Sequence, residues 1–445
     1  MATLLSHTKY FIVVLCLIQL SFFPSPSQAG SLKSDVTKLK NQAEQNNEVK
    51  ETPEKTSSGK KGGFSLFKDK EMDFFPIPIF ETRPDEGESY GAMPVFLFSE
   101  KDSKAISIIL AAMGQYNSVV KASGTLLAHF FPRPVKNPDE VFEFFFEFGQ
   151  KYARELTLHY ANPKFFDKFF LDSRFMWLKT PFPRFYGYGA KTGETGESNF
   201  VSREFLFDTT FGYYLHKNLR VNFSEKFTTT DLLNRAFNNT GDTLTVYGAQ
   251  EGVYDSTHLV HKLSVTFDNR PSSSISKKGT FAEASYFFSH KNLGSDSTFN
   301  GFSLEAVQLV SFFKERTTSA IRFFMQDIYG SEVPFYLQSR LGGPDELRAF
   351  IPNRFTDKGK MIFTLEQRIK VFGKTVFGVP VEVYADPFFE VGRVFNHLSN
   401  FSFNDLQPVG GLGLRGVVPP NVVARVDFAV GSEDYGVYTM LGYAF

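Results

Sequence analysis

The residues able to do chemistry are scattered along this chain. Eight histidines are spread over 445 residues, and none falls in the His-Glu-x-x-His spacing that sets two imidazoles and a base on one helix face. No Gly-x-Ser-x-Gly elbow exposes a nucleophilic serine. A single cysteine rules out disulfide frameworks, cysteine-rich zinc sites and thiolate-held iron-sulfur clusters, each of which needs several sulfurs at set spacing. Gly411-Leu412-Gly413-Leu414-Arg415-Gly416 spells a dinucleotide fingerprint, but Pro419-Pro420 stands where the phosphate-binding helix would begin. His159 and His261 lie in strand-like stretches and read as polar residues of a sheet rather than catalytic bases. The expectation is a protein that is not an enzyme, without catalytic residues, metal or cofactor. With 48 basic against 48 acidic residues the formal charge is zero, so no basic field exists to hold nucleic acid.

Three compositional zones follow one another. Lys9 closes a short basic region, Tyr10 to Phe23 is apolar apart from Gln19 and Ser21, and Ser27-Gln28-Ala29 offers small residues for cleavage before Gly30. That apolar stretch, about fourteen residues long, makes a helix of only ~21 Å against a hydrocarbon core of ~30 Å. Residues 1–29 therefore read as a cleaved signal peptide that takes Cys16 with it. Residues 30–72 are rich in Lys, Glu, Asn, Ser and Gly, with Ser57-Ser58-Gly59-Lys60-Lys61-Gly62-Gly63 at their centre. Such a segment buries too little apolar surface to offset chain entropy and is expected as a disordered periplasmic tail.

From 73 to 445 the chain alternates at period two. In Val201 to Leu215, Phe205, Phe207, Phe211 and Tyr213 share one face while Ser202, Glu204, Asp208 and Thr210 share the other. Leu259, Leu263, Val265 and Phe267 alternate with Lys262, Ser264, Thr266 and Asp268; Val426, Phe428 and Val430 alternate with Arg425 and Asp427. A soluble antiparallel sheet would also alternate. Against it stand the number of strands, the lack of helices to cover them, and 54 Phe and 18 Tyr on a chain with an export signal. A closed antiparallel barrel in the bacterial outer membrane needs these features, since its outer band meets lipid and closure removes the sheet edge. The fold class expected is all-β, a transmembrane antiparallel β-barrel. The roughly 370 residues available admit about 14 to 18 tilted strands, and sixteen is the expected number. Tyr443 and Phe445 close the last strand with an aromatic ending that resembles the C-terminal insertion signal of outer-membrane barrels.

One stretch is more specific. Leu341-Gly342-Gly343-Pro344-Asp345-Glu346-Leu347-Arg348-Ala349-Phe350 resembles the sixth extracellular loop of the BamA/TamA-like outer-membrane insertase superfamily, the bacterial surface antigen family. In that family a Gly-Gly pair precedes an Arg-Gly-aromatic tip folded back into the lumen; here Ala349 replaces the glycine. Phe388-Phe389-Glu390-Val391-Gly392 is similar to the family's strand motif, with Phe388 and Gly392 at its ends and Glu390 in place of aspartate. The resemblance implies that Glu366 and Glu390 hold the loop arginine, and an arginine taken out of water does need carboxylates for its fork of donors. It further implies an outer-membrane barrel acting in membrane biogenesis, or in passage of a polypeptide or lipid through a weak seam joining the strand at 74–80 to that at 437–445. Because only a polar tail precedes the barrel, the chain resembles a short branch without POTRA domains. The partners to expect are outer-membrane lipids, the barrel assembly machinery during insertion, a polypeptide or lipid client, and a second copy in a homodimer. A passive porin-like channel or structural barrel is the alternative.

Overall fold

The computed structural model describes residues 67 and 70–445, except 84–86, 104, 194–195, 238, 249–251, 273–274, 377–378, 419–421 and 434. The signal peptide expected at 1–29, and all but the end of the tail expected at 30–72, lie outside the described residues. The chain divides into units 1–68 and 69–445; the second is a β protein throughout. Its strands are β1 (Lys70–Arg83), β2 (Gly87–Glu100), β3 (Ile106–Asn117), β4 (Lys121–Phe130), β5 (Val141–Gly149), β6 (Arg154–Phe165), β7 (Phe169–Thr180), β8 (Arg184–Phe185), β9 (Ser198–Asn199), β10 (Val201–His216), β11 (Leu219–Leu233) and β12 (Gly241–Asp242). After these come β13 (Ser256–Asp268), β14 (Gly279–Ser289), β15 (Phe299–Phe312), β16 (Thr317–Tyr329), β17 (Ser339–Leu341), β18 (Phe355–Asp357), β19 (Gly359–Val376), β20 (Val379–Phe395), β21 (Gln407–Val418), β22 (Val422–Val430) and β23 (Tyr435–Leu441).

All but the short β8, β9, β12, β17 and β18 join one antiparallel sheet, each strand paired with its neighbours along the chain. Among the described residues the sheet has 18 strands, which corrects the sixteen expected from chain length. The reason is economy in the connections. Lys217 and Asn218 alone separate β10 from β11, leaving more of the chain to build strands.

The alternation seen in the sequence becomes two unlike faces. Phe205, Phe207, Phe211 and Tyr213 of β10 point outward and are between 36% and 46% exposed. On the other face Asn222, Ser224, Ser264 and Thr266 are buried, and Asn222 donates to the hydroxyls of Ser264 and Thr266. Apolar outside and polar inside is the reverse of a water-soluble sheet and is the arrangement of a barrel wall in lipid. Among the described residues no helix is long and apolar enough to cross a membrane.

The two edges of the sheet barely meet. Among the described residues, Thr82 opposite Val437 is the one residue pair between β1 and β23, whereas β22 and β23 pair from Ala424↔Leu441 through to Val430↔Tyr435. Prolines account for part of this. Pro76 stands opposite Pro94, and two residues without N–H groups cannot form a hydrogen-bonded rung. The nitrogens of Pro76, and of Pro78 two residues on, therefore face away from β2, toward the seam. Pro94 has the same effect on its other side, where the β2–β3 register passes from Ala92↔Gly114 to Val95↔Ala111.

Candidate functional site

The connection from β16 to β19 does not stay at the rim. It turns at Gly342 and Gly343, with φ of 114° and 121°, a backbone region that a Cβ disfavours. At Gly342 a Cβ would also strike the carbonyl of Ile351. The segment then passes into the interior of the sheet, and Leu341, Leu347, Ala349, Phe350 and Phe355 pack on Ile362, Phe388 and Val409. Gly392 leaves room for Leu341, whose Cδ2 lies 3.1 Å from where a Cβ would be. Ala349 is not the residue with left-handed backbone; Leu347 is, at φ 52°. The substitution of alanine for the family's glycine is thus accommodated, because the tight turn falls two residues earlier.

Arg348, at the tip, has no exposed surface. Its backbone N–H donates to Glu390 Oε2 at 2.8 Å, and its Nε to Glu390 Oε1 at 3.1 Å. Its Nη1 reaches Glu366 Oε2 at 3.3 Å and Asp427 Oδ2 at 3.1 Å. The guanidinium lies 3.4 Å from the centroid of the Phe388 ring, close enough for cation–π attraction. Burial by itself would lower the pKa of this guanidinium, but Glu390, Glu366 and Asp427 more than reverse that and hold it above the ordinary arginine value.

The cluster extends past the residues named by motif. Arg415 donates to Asp427 at 2.5 Å and lies 3.5 Å from Glu366 and 3.3 Å from Asp386. Arg368 donates to Glu366 at 2.8 Å, and Arg425 pairs with Asp345 and Asp427. Arg348, Arg368, Arg415 and Arg425 face Glu366, Asp386, Glu390 and Asp427, all of them buried. Within this cluster four cations face four anions, a balance that offsets the cost of keeping so many charges out of water. The sequence motifs pointed to Arg348, Glu366 and Glu390. They did not mark Asp427, Arg415, Asp386, Arg368 and Arg425 as partners, although Arg425 and Asp427 alternate with apolar residues on one strand and so had to share the polar face.

The tip also rests on β23. A Cβ at Gly436 would collide with the Arg348 carbonyl, and Tyr438 Oη donates to the Phe350 carbonyl at 3.2 Å. Nearer the rim, Arg354 makes a bidentate pair with Glu433 at 2.7 and 2.9 Å and donates to the Thr192 carbonyl at 2.6 Å. Loop, clamp and seam strand form one bonded network.

The chain end differs from expectation. β23 stops at Leu441, Gly442 adopts φ 85°, and Tyr443 and Phe445 leave the line of the strand instead of extending it. Both rings turn inward over Arg368, at 3.7 and 5.5 Å. A positive-φ glycine cannot continue an extended strand, and the buried guanidinium offers the aromatic rings a partner that lipid does not.

The family model for the Omp85 superfamily domain matches residues 140–445, a span that contains the loop, the clamp and the last strand. The chain belongs to the Omp85 superfamily. Among solved structures, BamA from Haemophilus ducreyi lacking POTRA domains 1–3 aligns over 85% of this chain and 75% of its own, at 13% identity and a TM-score of 0.50. CdiB from Escherichia coli aligns over 83% of this chain and 62% of its own, at 9% identity and a TM-score of 0.46. At such identity the first likeness speaks for the fold alone. No curated protein matches the sequence. In this Omp85 outer-membrane β-barrel the longest connection between described strands of the sheet, from β16 to β19, lies at the opposite end of the strands from short turns such as Lys217-Asn218. β1 to β4 precede the matched span, so one edge of the sheet in this Omp85 chain is formed by residues the family model does not cover.

Proposed function

We propose that this Omp85 barrel acts in biogenesis of the bacterial outer membrane, or in passage of a polypeptide or lipid, by opening between β1 and β23. The observation that carries the reading is that, among the described residues, Thr82↔Val437 is the one pair between β1 and β23, where every other neighbouring pair in the sheet runs most of the length of a strand. An edge left so open is a template for an extended segment of another chain, which would pair through its main chain as an added strand. Pro76 and Pro78 lower the competition from β1, and the loop tip seated on Gly436 and Tyr438 holds β23 in place from inside. No catalytic step is assigned to the chain. Its partners in this reading are membrane lipid and a client that supplies an unpaired strand. Cysteines at Thr82 and Val437, oxidised to a disulfide after insertion, give the test. Client insertion or export should stop in the locked barrel and return on reduction; undiminished activity in the locked form would overturn the reading.

A further inference from the structure

The outward face of the sheet is mainly aromatic and aliphatic; besides polar pairs such as Arg203–Asp231 and Ser319–Gln367, one polar row crosses four strands near their middle. Ser173 on β7, Thr209 on β10, Glu225 on β11 and His261 on β13 stand directly opposite one another across four adjacent strands. Period two puts all four outside: Thr209 lies between the exposed Phe207 and Phe211, Glu225 follows the exposed Phe223, and His261 precedes the exposed Leu263. The row is internally bonded. Ser173 and Thr209 hydroxyls are 2.9 Å apart, and His261 Nδ1 lies 2.9 Å from Glu225 Oε1. The imidazole packs beside the Phe288 ring, centroids 4.9 Å apart. The side chain of Glu225 is still 36% exposed. A carboxylate and an imidazole at this depth face acyl chains, where a charged group is costly and is retained for a partner or a pathway.

We infer that this wall is an interface with a second copy of the same chain inside the membrane. A two-fold dimer brings the same patch of each copy together, and this patch is self-complementary. Hydroxyl donors occupy one end of the row and a carboxylate with uncovered surface the other, so each copy supplies what the other lacks. Phe207, Phe211, Phe223 and Leu263 provide an apolar margin around the polar centre. β11 and β13 are the ninth and tenth strands of the 18 counted from the seam, so a dimer joined there leaves both seams free on opposite sides. The inference needs the outward face to meet lipid but does not need the seam to open.

The test uses the full chain in its native membrane with Phe207→Cys and a short bifunctional maleimide. The control is Phe389→Cys, equally exposed on β20; Cys16 is the same in both. A crosslinked species of twice the chain mass should form from Phe207→Cys and be at least about tenfold scarcer with Phe389→Cys. Adding Thr209→Val and Glu225→Leu to the Phe207→Cys chain should lower its yield by roughly tenfold, the scale expected when a polar pairing inside a bilayer is removed. Unchanged heat-modifiable migration on gels would verify that this variant is folded. No adduct, equal yield at the two cysteine positions, an adduct with a different protein, or full yield from the folded row variant would each overturn the inference. The comparison of cysteine positions stands even where the row variant does not fold.

Discussion

Replacing Arg348 with alanine should cost this barrel several kcal/mol, and the structure indicates why the figure is not that of a surface ion pair. The side chain is fully buried and donates to three carboxylates, while its own backbone N–H makes a further bond to Glu390. Alanine removes one of four cations and leaves four carboxylates in place. Deleting one member of a buried pair typically costs about 3–5 kcal/mol, against about 0–1 for an exposed pair. Arg348→Lys should recover only part of the loss, because an ammonium cannot span Glu390, Glu366 and Asp427 as a planar fork does. The assay is guanidinium unfolding of the detergent-solubilised barrel, joined to protease cleavage within 341–352, which reports whether the tip has left its seat. Arg348→Glu combined with Glu390→Arg should be more stable than the sum of the single changes predicts, by about 0.5–3 kcal/mol of coupling. Single variants that lose under about 1 kcal/mol, with the loop still protected, would refute the clamp.

Three further outcomes follow from the same geometry. Gly436→Val places methyl groups where the Arg348 carbonyl sits, so the tip should become protease-sensitive although the ion cluster is untouched; continued protection would mean β23 does not carry the loop. Pro76→Val with Pro78→Val adds two donors to the seam edge, each worth about 0.5–1.5 kcal/mol if paired, so hydrogen exchange at the β23 amides should slow and seam-dependent activity fall. Faster or unchanged exchange would count against the seam assignment of those nitrogens. Deleting 341–352 should turn low, fluctuating conductance in planar bilayers into larger steady steps, whereas identical records would show that the loop does not occlude the lumen.

Much of the fold was legible in the sequence because a barrel wall writes itself locally. Each residue's side is fixed by its parity, so the run from Val201 to Leu215 could be assigned to two faces without any tertiary information. Strand number was not legible, since it depends on how little chain the turns consume, and two-residue links look like any other polar pair until the register is known. In the site, Arg348, Glu366 and Glu390 were marked by spacing around a recognisable loop. Asp427 and Arg415 belong to strands further along the chain, and nothing near them in sequence indicates which loop they will meet. The end of the chain was misread for a related reason: Gly442 is compatible with a strand or with a turn, and the inward position of Tyr443 and Phe445 depends on Arg368, far away in sequence.

Sequence by itself determined the alternation, the aromatic outer face, the glycine turns of the inserted loop and the balance of charge, because these depend on residue type and on neighbours one to four positions away. Tertiary structure alone decided that, among the described residues, 18 strands share the sheet and its edges meet at one pair, and that four arginines and four carboxylates converge inside. Those outcomes depend on which strands become neighbours across the sheet, and a buried charge finds its partner through space rather than along the chain.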